Sequence, residues 1–516
     1  MQRALSLCFL RILKFRINLM KGRMKMRILY IDIDTLRVDH LSCYGYHRDT
    51  SPNIDKIAEN GTLFTNCYVS DAPCLPSRAS LFTGRFGIHS GIVGHGGTAA
   101  DLRLTGKTRG FQDPYLRFNW ISMLRRAKLY PVSVSPYAER HSAFWFYSGW
   151  KEMYNPGYRG MERADQVYPY AEKWLKDNEK KDNWFLHVNF WDPHTPYRTP
   201  LEFGNPFEND PIPSWMTQKI IDEHRKSYGP HSACEPSGFS DESFVQFFPR
   251  VKDIVEIRDL NDFKRWIDGY DVGINYADEY IGRITEILKE QGIYDDTIII
   301  VSADHGECQG ELNIYGDHLT GCHIINRVPM IIKWPDQNWG RKYESLIYQT
   351  DIAATVVDKL GASVPNFWDG KSILAELENK DHLGRNYLTI SQNAWSCQRT
   401  VRFENWTLIK TYHTGLKNFP EIMLFDFEND FHMLNNVADQ KPEIVTKGLK
   451  YLNEWYLEML KGDPKNKDPM ETVLQEGGPF HTRGQLKSYL RRLKKTGRED
   501  MVEIILSRKE SYNFKT

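Results

Sequence analysis

Largely apolar runs of strand length recur between residues 27 and 332, and several of them break off at an acid or a histidine. Residues 27–34 read Ile28-Leu29-Tyr30-Ile31-Asp32-Ile33-Asp34, residues 184–191 run from Trp184 through His187 to Trp191, and residues 297–302 read Thr297-Ile298-Ile299-Ile300-Val301-Ser302. Shorter runs occupy 131–134 and 327–332. Apolar runs without alternation belong to strands covered on both faces, as in parallel sheets between helices. Between the runs the period becomes helical. Residues 51–61 carry an N-cap Ser51, Pro52 at the first helical position and Gly61 past the end, while Ile274, Ala277, Ile281, Ile284 and Leu288 predict a helix over 273–291 that Gly292 closes. Residues 121–128 add one more. The alternation predicts an α/β fold with a large, mostly parallel sheet sandwiched by helices. From about Leu388 the texture changes to short aromatic strands (400–403, 406–410 and 424–430), then a helix over 442–460.

Length and composition refine this picture. A chain of 516 residues exceeds one ordinary core. The expected division is a main domain over 24–385 with an excursion rich in Pro, Gly, Ser and acids at about 200–262, a small sheet-and-helix unit over 386–465, and a basic tail over 466–516 packing back on the main domain. Residues 1–23 are expected to be a leader or non-native extension, because Arg11, Lys14 and Arg16 interrupt any signal core and Met24 and Met26 lie just before the first strand. With no secretion signal and no run of membrane-spanning length, the expected location is cytoplasmic, with no membrane partner. Lys plus Arg equals Asp plus Glu at 67 each, so no global field favours nucleic acid. The eight cysteines lack metal-finger spacing and are too sparse for a disulfide scaffold.

Charge balance leaves any anion site to local chemistry, and candidates stand at the ends of the apolar runs. Asp34 ends the first run, and a carboxylate at the carboxyl end of a buried strand is a metal-ligand candidate. Asp304 and His305 follow the 297–302 run within Ala303-Asp304-His305-Gly306-Glu307, and with Asp34 they form a hard-cation set that tolerates one nitrogen. His194, in Asp192-Pro193-His194-Thr195-Pro196, is held between two prolines at a strand end, as general acid work or anion binding requires. Cys74, in Asp71-Ala72-Pro73-Cys74-Leu75-Pro76-Ser77-Arg78, stands just ahead of a short helical segment that Gly84 can close, so that backbone donors and Arg78 converge near its side chain.

Cys74-Leu75-Pro76-Ser77-Arg78 followed by Thr83-Gly84-Arg85 resembles the sulfatase signature, and the Pro193-His194-Thr195-Pro196 and Asp304-His305-Gly306-Glu307 elements resemble sulfatase blocks in the same order. The resemblance covers roughly residues 27–460. It implies an alkaline phosphatase-like fold with a smaller C-terminal antiparallel sheet, and a Cys74 oxidised after translation to formylglycine, whose hydrate attacks sulfur with one hydroxyl and releases sulfate with the other. It further implies a divalent metal on Asp34, Asp304 and His305, calcium first with manganese or magnesium as alternatives. Arg78 would hold the nucleophile's oxygen. Tyr137-Ala138-Glu139-Arg140-His141 falls where the family has a Lys-Trp-His element, making Arg140 the cation for sulfate and His141 the base. His194 or His318 would protonate the leaving alkoxide. The chain departs from the pattern at Thr35, where many relatives have a second aspartate, and at His318, where counting back from Val328 places the family's lysine. The implied partners are a sulfated small molecule or saccharide and a formylglycine-generating or anaerobic sulfatase-maturing enzyme. A phosphonate or phosphate ester hydrolase of the same superfamily and a catalytically silent carbohydrate-binding relative are the alternatives. His95 reads as structural, and His481 and Arg483 of the tail as solvated or pocket-closing.

Overall fold

In the computed structural model, which describes residues 25–103, 113–239, 249–335, 341–379, 384–461 and 467–508, the apolar runs become the central strands of one sheet. The leader reading lies outside these residues. In chain order the strands are β1 (Arg27–Ile33), β2 (Thr62–Phe64), β3 (Tyr130–Val134), β4 (Glu152–Tyr154), β5 (Trp184–Phe190), β6 (Thr297–Ala303), β7 (Met330–Lys333) and β8 (Arg341–Tyr343). Their spatial order is β8-β2-β7-β6-β1-β5-β3-β4. Every neighbouring pair is parallel except those of β7, which runs antiparallel to β2 and β6. All residues of β1, β5 and β6 are buried, and an aliphatic side chain so covered contributes about 1.5–3 kcal/mol.

Register positions the site. Ile33 at the end of β1 is level with Ala303 of β6 and with Phe190 of β5. Asp34, Asp304 and Trp191 therefore leave the sheet side by side at one edge, the carboxyl edge where open α/β sheets bind ligands.

Helices α1 (Pro52–Glu59), α2 (Cys74–Thr83), α3 (Ala164–Asp177), α4 (Leu260–Glu290) and α5 (Gln349–Lys359) flank the sheet, α4 packing on α1 and α3, and α5 on α2. The helix expected over 273–291 starts earlier, at Leu260, so the excursion ends at Asp259, whose carboxylate caps α4 by accepting from Asn261 N and Asp262 N at 2.9 Å each. Gly273 is interior to α4. A Cβ there would lie 2.8 Å from Pro193 Cβ, so the glycine lets the helix press against the loop that carries His194.

A second sheet follows, with β9 (Tyr387–Gln392), β10 (Cys397–Phe403), β11 (Trp406–His413) and β12 (Ile422–Asp426) all antiparallel to their sequence neighbours. Its far edge is a two-residue strand, Asp71–Ala72, parallel to β9 and only two residues before Cys74. This sheet thus takes its edge strand from the segment that leads into α2. Helix α6 (Pro442–Lys461) covers this sheet, burying Leu452 and Trp455 with Val401, Phe403 and Leu408. In the tail, α7 (Leu486–Lys495) and α8 (Glu499–Ser507) bury Tyr489, Leu493 and Ile505 with Tyr228 and Leu416. Arg492 and Arg498 of the basic tail both pair with the buried Glu235, so part of its charge is an anchor.

Gly84 ends α2 in the left-handed region at φ 72°, where a Cβ would lie 2.2 Å from the Trp368 ring. Gly84→Ala is expected to lower stability by at least about 2 kcal/mol, read as an earlier urea midpoint at unchanged m-value.

Candidate active site

Every residue of α2 is buried, which holds its first residue, Cys74, rigidly at the sheet edge. Ser77 Oγ donates to the backbone oxygen of Asp304 at 2.6 Å and ties the helix start to the end of β6. Cys74 Sγ lies 3.0 Å from His305 Nε2. His305 Nδ1 is 2.8 Å from the Gly306 carbonyl, which can only accept, so the proton is on Nδ1 and the Nε2 lone pair faces the sulfur. Gly306 is required here because a Cβ would lie 2.2 Å from the Ile324 oxygen.

Arg78, one turn along α2, is expected from the sequence to serve the nucleophile's oxygen. In the structure it forks three carboxylates: Nε and Nη2 donate to Asp32 at 2.8 and 3.2 Å, and Nη1 to Asp34 at 2.9 Å and Asp304 at 2.5 Å. Its guanidinium also lies 5.3 Å from the Tyr137 ring and 5.8 Å from that of Trp191. Three buried acids against one guanidinium leave negative charge uncompensated, and the acids divide accordingly. Burial works against the charge of Asp32, but Arg78 and His187 outweigh it and hold its carboxyl below the usual range. Burial pushes Asp304 well up, and the neighbouring Asp34 and Asp32 add to Arg78's failure to offset it.

The donor set fits a divalent cation. Asp34, Cys74, Asp304 and His305 each offer a ligand atom, all within 4.8 Å of one another. Asp34 Oδ1 is buried without a hydrogen-bond partner, an orphan acceptor in the middle of this group. Two carboxylates and one imidazole suit a hard ion that accepts one nitrogen. Thr35, in place of a second aspartate, has φ 57° and donates its N–H to Asp304 Oδ1 at 3.1 Å.

The histidines named from the sequence line the same pocket. His194 Nδ1 donates to Thr195 O at 2.5 Å, and its Nε2 faces Asp34 Oδ1 at 4.0 Å. Burial and then Arg198 pull its pKa down to about 3. Arg198 also fixes the loop, donating to the carbonyls of His194 and Thr195 at 3.1 and 3.0 Å. His318 has its ring centroid 4.5 Å from that of His305 and 5.9 Å from that of His194. Burial and these neighbours hold it well below its ordinary pKa, so it is neutral in the pocket as it stands. His141 stacks on Trp191 at 6.3 Å, its Nε2 unpartnered, and burial followed by the adjacent Arg140 keeps it neutral too. Arg140 itself is exposed at the end of the turn Tyr137–Arg140.

Two further residues border the pocket. His95, read from the sequence as structural, donates or accepts through Nδ1 with His481 Nε2 at 2.8 Å, and its ring is 5.2 Å from that of His141. His481 stacks on Trp395 at 4.5 Å, while Arg483 turns away to Glu476 and the Gly478 carbonyl. Gly94, Gly96 and Gly97 flank His95, and the tail approaches them closely: a Cβ on Gly96 would strike the Phe480 ring at 2.3 Å.

Comparison with known proteins adds an independent line. A family model described as Sulfatase matches residues 27–362, and one described as N-sulphoglucosamine sulphohydrolase, C-terminal, matches residues 323–456. The chain is 24% identical over 472 residues to an ulvan-active sulfatase of Formosa agariphila, covering 84% of this chain and 80% of that protein. It is 22% identical over 510 residues to an N-acetylglucosamine-6-O-sulfatase of Bacteroides thetaiotaomicron, covering 87% and 89%. Among solved structures, a protein in complex with its substrate D-glucosamine-2-N,6-O-disulfate superposes with a TM-score of 0.67 at 18% identity, covering 86% of this chain and 100% of that one. The phosphonate monoester hydrolase of Agrobacterium radiobacter shares the fold with a TM-score of 0.62 at 20% identity, covering 84% and 96%. Among the described residues no helix is long and apolar enough to cross a membrane.

Proposed function

The chain belongs to the sulfatase family and is a sulfuric ester hydrolase, and from this premise we propose that its substrate is a sulfated saccharide and that Cys74, used as formylglycine, is its nucleophile. The observation that carries the proposal is the position of Cys74, at the start of a wholly buried helix, 3.0 Å from His305 and within one ligand group with Asp34 and Asp304. The saccharide reading is supported by relatives named for sugar sulfates: the ulvan-active sulfatase, the N-acetylglucosamine-6-O-sulfatase and the disulfated-glucosamine complex.

Formylglycine supplies a geminal pair of hydroxyls, one to attack sulfur and one to release sulfate. A divalent cation, calcium by its preference for oxygen donors, would be held by Asp34, Asp304 and His305 and would supply positive charge for the sulfate oxygens. The protein's own residues do the rest. Arg78 keeps Asp34 and Asp304 from moving apart and lowers the cost of their burial. Arg140, at the exposed mouth, meets the incoming anion. His141 Nε2, neutral and unpartnered, can take a proton from the nucleophile's second hydroxyl. His194 has its Nδ1 proton committed to Thr195 O, so only Nε2 is available to the substrate. Burial, and after it Arg198 and the other histidines, keep His194 and His318 neutral, and a sulfate placed between them opposes the charge part of that effect, so the proton for the leaving alcohol is recruited with the anion. A formylglycine-generating or anaerobic maturing enzyme completes the proposal as the partner that converts Cys74.

The test pairs chemistry with mass. After coexpression with a maturing enzyme, the Cys74 peptide is expected to be about 18 Da lighter than the thiol form. Rates on aryl sulfate and sulfated monosaccharides are expected to exceed those on an aryl phosphonate monoester; the reverse order would assign the chain to the phosphonate hydrolases that share its fold. Activity lost on chelation should return best with calcium, and better recovery with manganese or magnesium would change the metal.

A further inference from the structure

We propose that the unconverted chain, with Cys74 as a thiol, carries a second and chemically different metal site: a thiophilic divalent ion, zinc in the first instance, held by Cys74 Sγ, His305 and His318. Ligand atoms of these three residues all lie within 4.8 Å of one another, and all three residues are buried. The set shares Cys74 and His305 with the carboxylate group described above, but replaces Asp34 and Asp304 by a second imidazole.

Three features point the group at an ion. The His305 tautomer leaves the Nε2 lone pair directed at Cys74 Sγ, 3.0 Å away, since Nδ1–H is spent on the Gly306 carbonyl. His318 Nδ1 is buried without a hydrogen-bond partner, 3.5 Å from Asp317 Oδ1. The backbone of His318 is pinned on both sides, its N–H donating to Asp317 Oδ1 at 2.6 Å and its carbonyl accepting from Gln392 Nε2 at 2.8 Å, so the ring is presented by a fixed frame. Around a tetrahedral zinc ion, sulfur and nitrogen ligands stand about 3.5 Å apart, against 3.0 Å for Cys74 Sγ to His305 Nε2 and no more than 4.8 Å for any pair of the set. Asp304 Oδ2, 3.4 Å from His305 Nε2, or a water can take the fourth position.

Ligand softness separates the two sites. One thiolate and two imidazoles select zinc or its softer neighbours over calcium, whereas two carboxylates and one imidazole do the opposite. Binding forms one Zn–S bond and breaks one S–H bond, and the proton leaves to solvent. Replacing the sulfur by an aldehyde oxygen removes the only soft donor, so this site exists before conversion and disappears with it. It needs Cys74 only as a thiol and does not depend on sulfate hydrolysis.

The experiment uses the full chain made without a maturing enzyme, its thiol verified by intact mass, and cobalt(II) as the probe for zinc. One equivalent is expected to give a thiolate-to-cobalt charge-transfer band with the visible bands of a four-coordinate ion, release about one proton, and be displaced by zinc. Cys74→Ser should remove the charge-transfer band, and His318→Gln should weaken binding by at least about tenfold, with circular dichroism checking that both fold. The zinc form of the parent chain should show one sulfur and two imidazoles by X-ray absorption, a readout that needs no variant. A band that survives Cys74→Ser, binding unchanged by His318→Gln, or an absorption spectrum with only oxygen neighbours or with two sulfurs, as from the Cys308 and Cys322 pair 3.6 Å apart, would overturn the proposal. None of these outcomes bears on the rate of sulfate release by the matured enzyme, which is measured separately.

Discussion

Cys74→Ala is expected to lower kcat on every sulfate ester by at least about 10⁴-fold while leaving the protein folded. The two halves of that expectation have different origins. The side chain is small, 2% exposed, and placed at the first residue of a helix whose other buried residues are untouched by the change. Removing Sγ opens a void smaller than that of a deleted branched side chain, and it frees His305 Nε2 from its 3.0 Å contact, so the expected cost in stability is on the order of 1 kcal/mol. A thermal scan should therefore move by only a few degrees. The rate, by contrast, loses its nucleophile. No other thiol joins Asp34, Asp304 and His305 in that ligand group among the described residues. Single-turnover assays would separate the chemical step from release. Turnover within about tenfold of the parent would exclude Cys74 as the attacking residue.

The parts of the site legible in the sequence were those standing at the ends of apolar runs. A buried strand announces itself by composition, and its last residue must emerge at the sheet edge; for Asp34 after β1, Asp304 after β6 and His194 just past β5, position along the chain and position in space carry the same information. Arg78 was legible as a pocket residue but not as the hub of Asp32, Asp34 and Asp304, because that role depends on which strands lie side by side. The pairing of His95 with His481 spans 386 positions and follows from how the tail folds back, which no local period encodes. Likewise the early start of α4 includes Gly269 and Gly273, which admit Tyr197 and Pro193 at close range, a packing reason that no local period shows. The edge strand Asp71–Ala72 is two residues long, too short for any pattern to mark.

Arg78→Ala is expected to destabilise the fold by about 3–5 kcal/mol, because it strands buried carboxylates without their cation. Arg78→Lys should recover little of this, since one ammonium cannot replace a fork that reaches Asp32, Asp34 and Asp304 at once. The loss should depend on pH with a definite sign. In the parent, burial opposes the Asp32 charge but Arg78 and His187 outweigh it, so the folded-state pKa lies below the unfolded value. A depressed carboxyl contributes stability that is present above the unfolded pKa and lost as pH falls through the folded one. Without Arg78 that contribution reverses: burial, with the neighbouring acids, raises the pKa of Asp32 as it already raises that of Asp304. A carboxyl raised on folding favours the folded state at low pH and loses that favour as pH rises, so urea midpoints of parent and variant should lie farthest apart at about pH 7.5 and approach each other toward about pH 4. Excess calcium should narrow the gap at the higher pH, since an ion on Asp34, Asp304 and His305 supplies part of the missing positive charge. A gap that is independent of pH and of calcium would mean that Arg78 stabilises by packing on Tyr137 and Trp191 instead. The two mechanisms thus separate on one titration, because packing has no charge to lose and an electrostatic hub has little else.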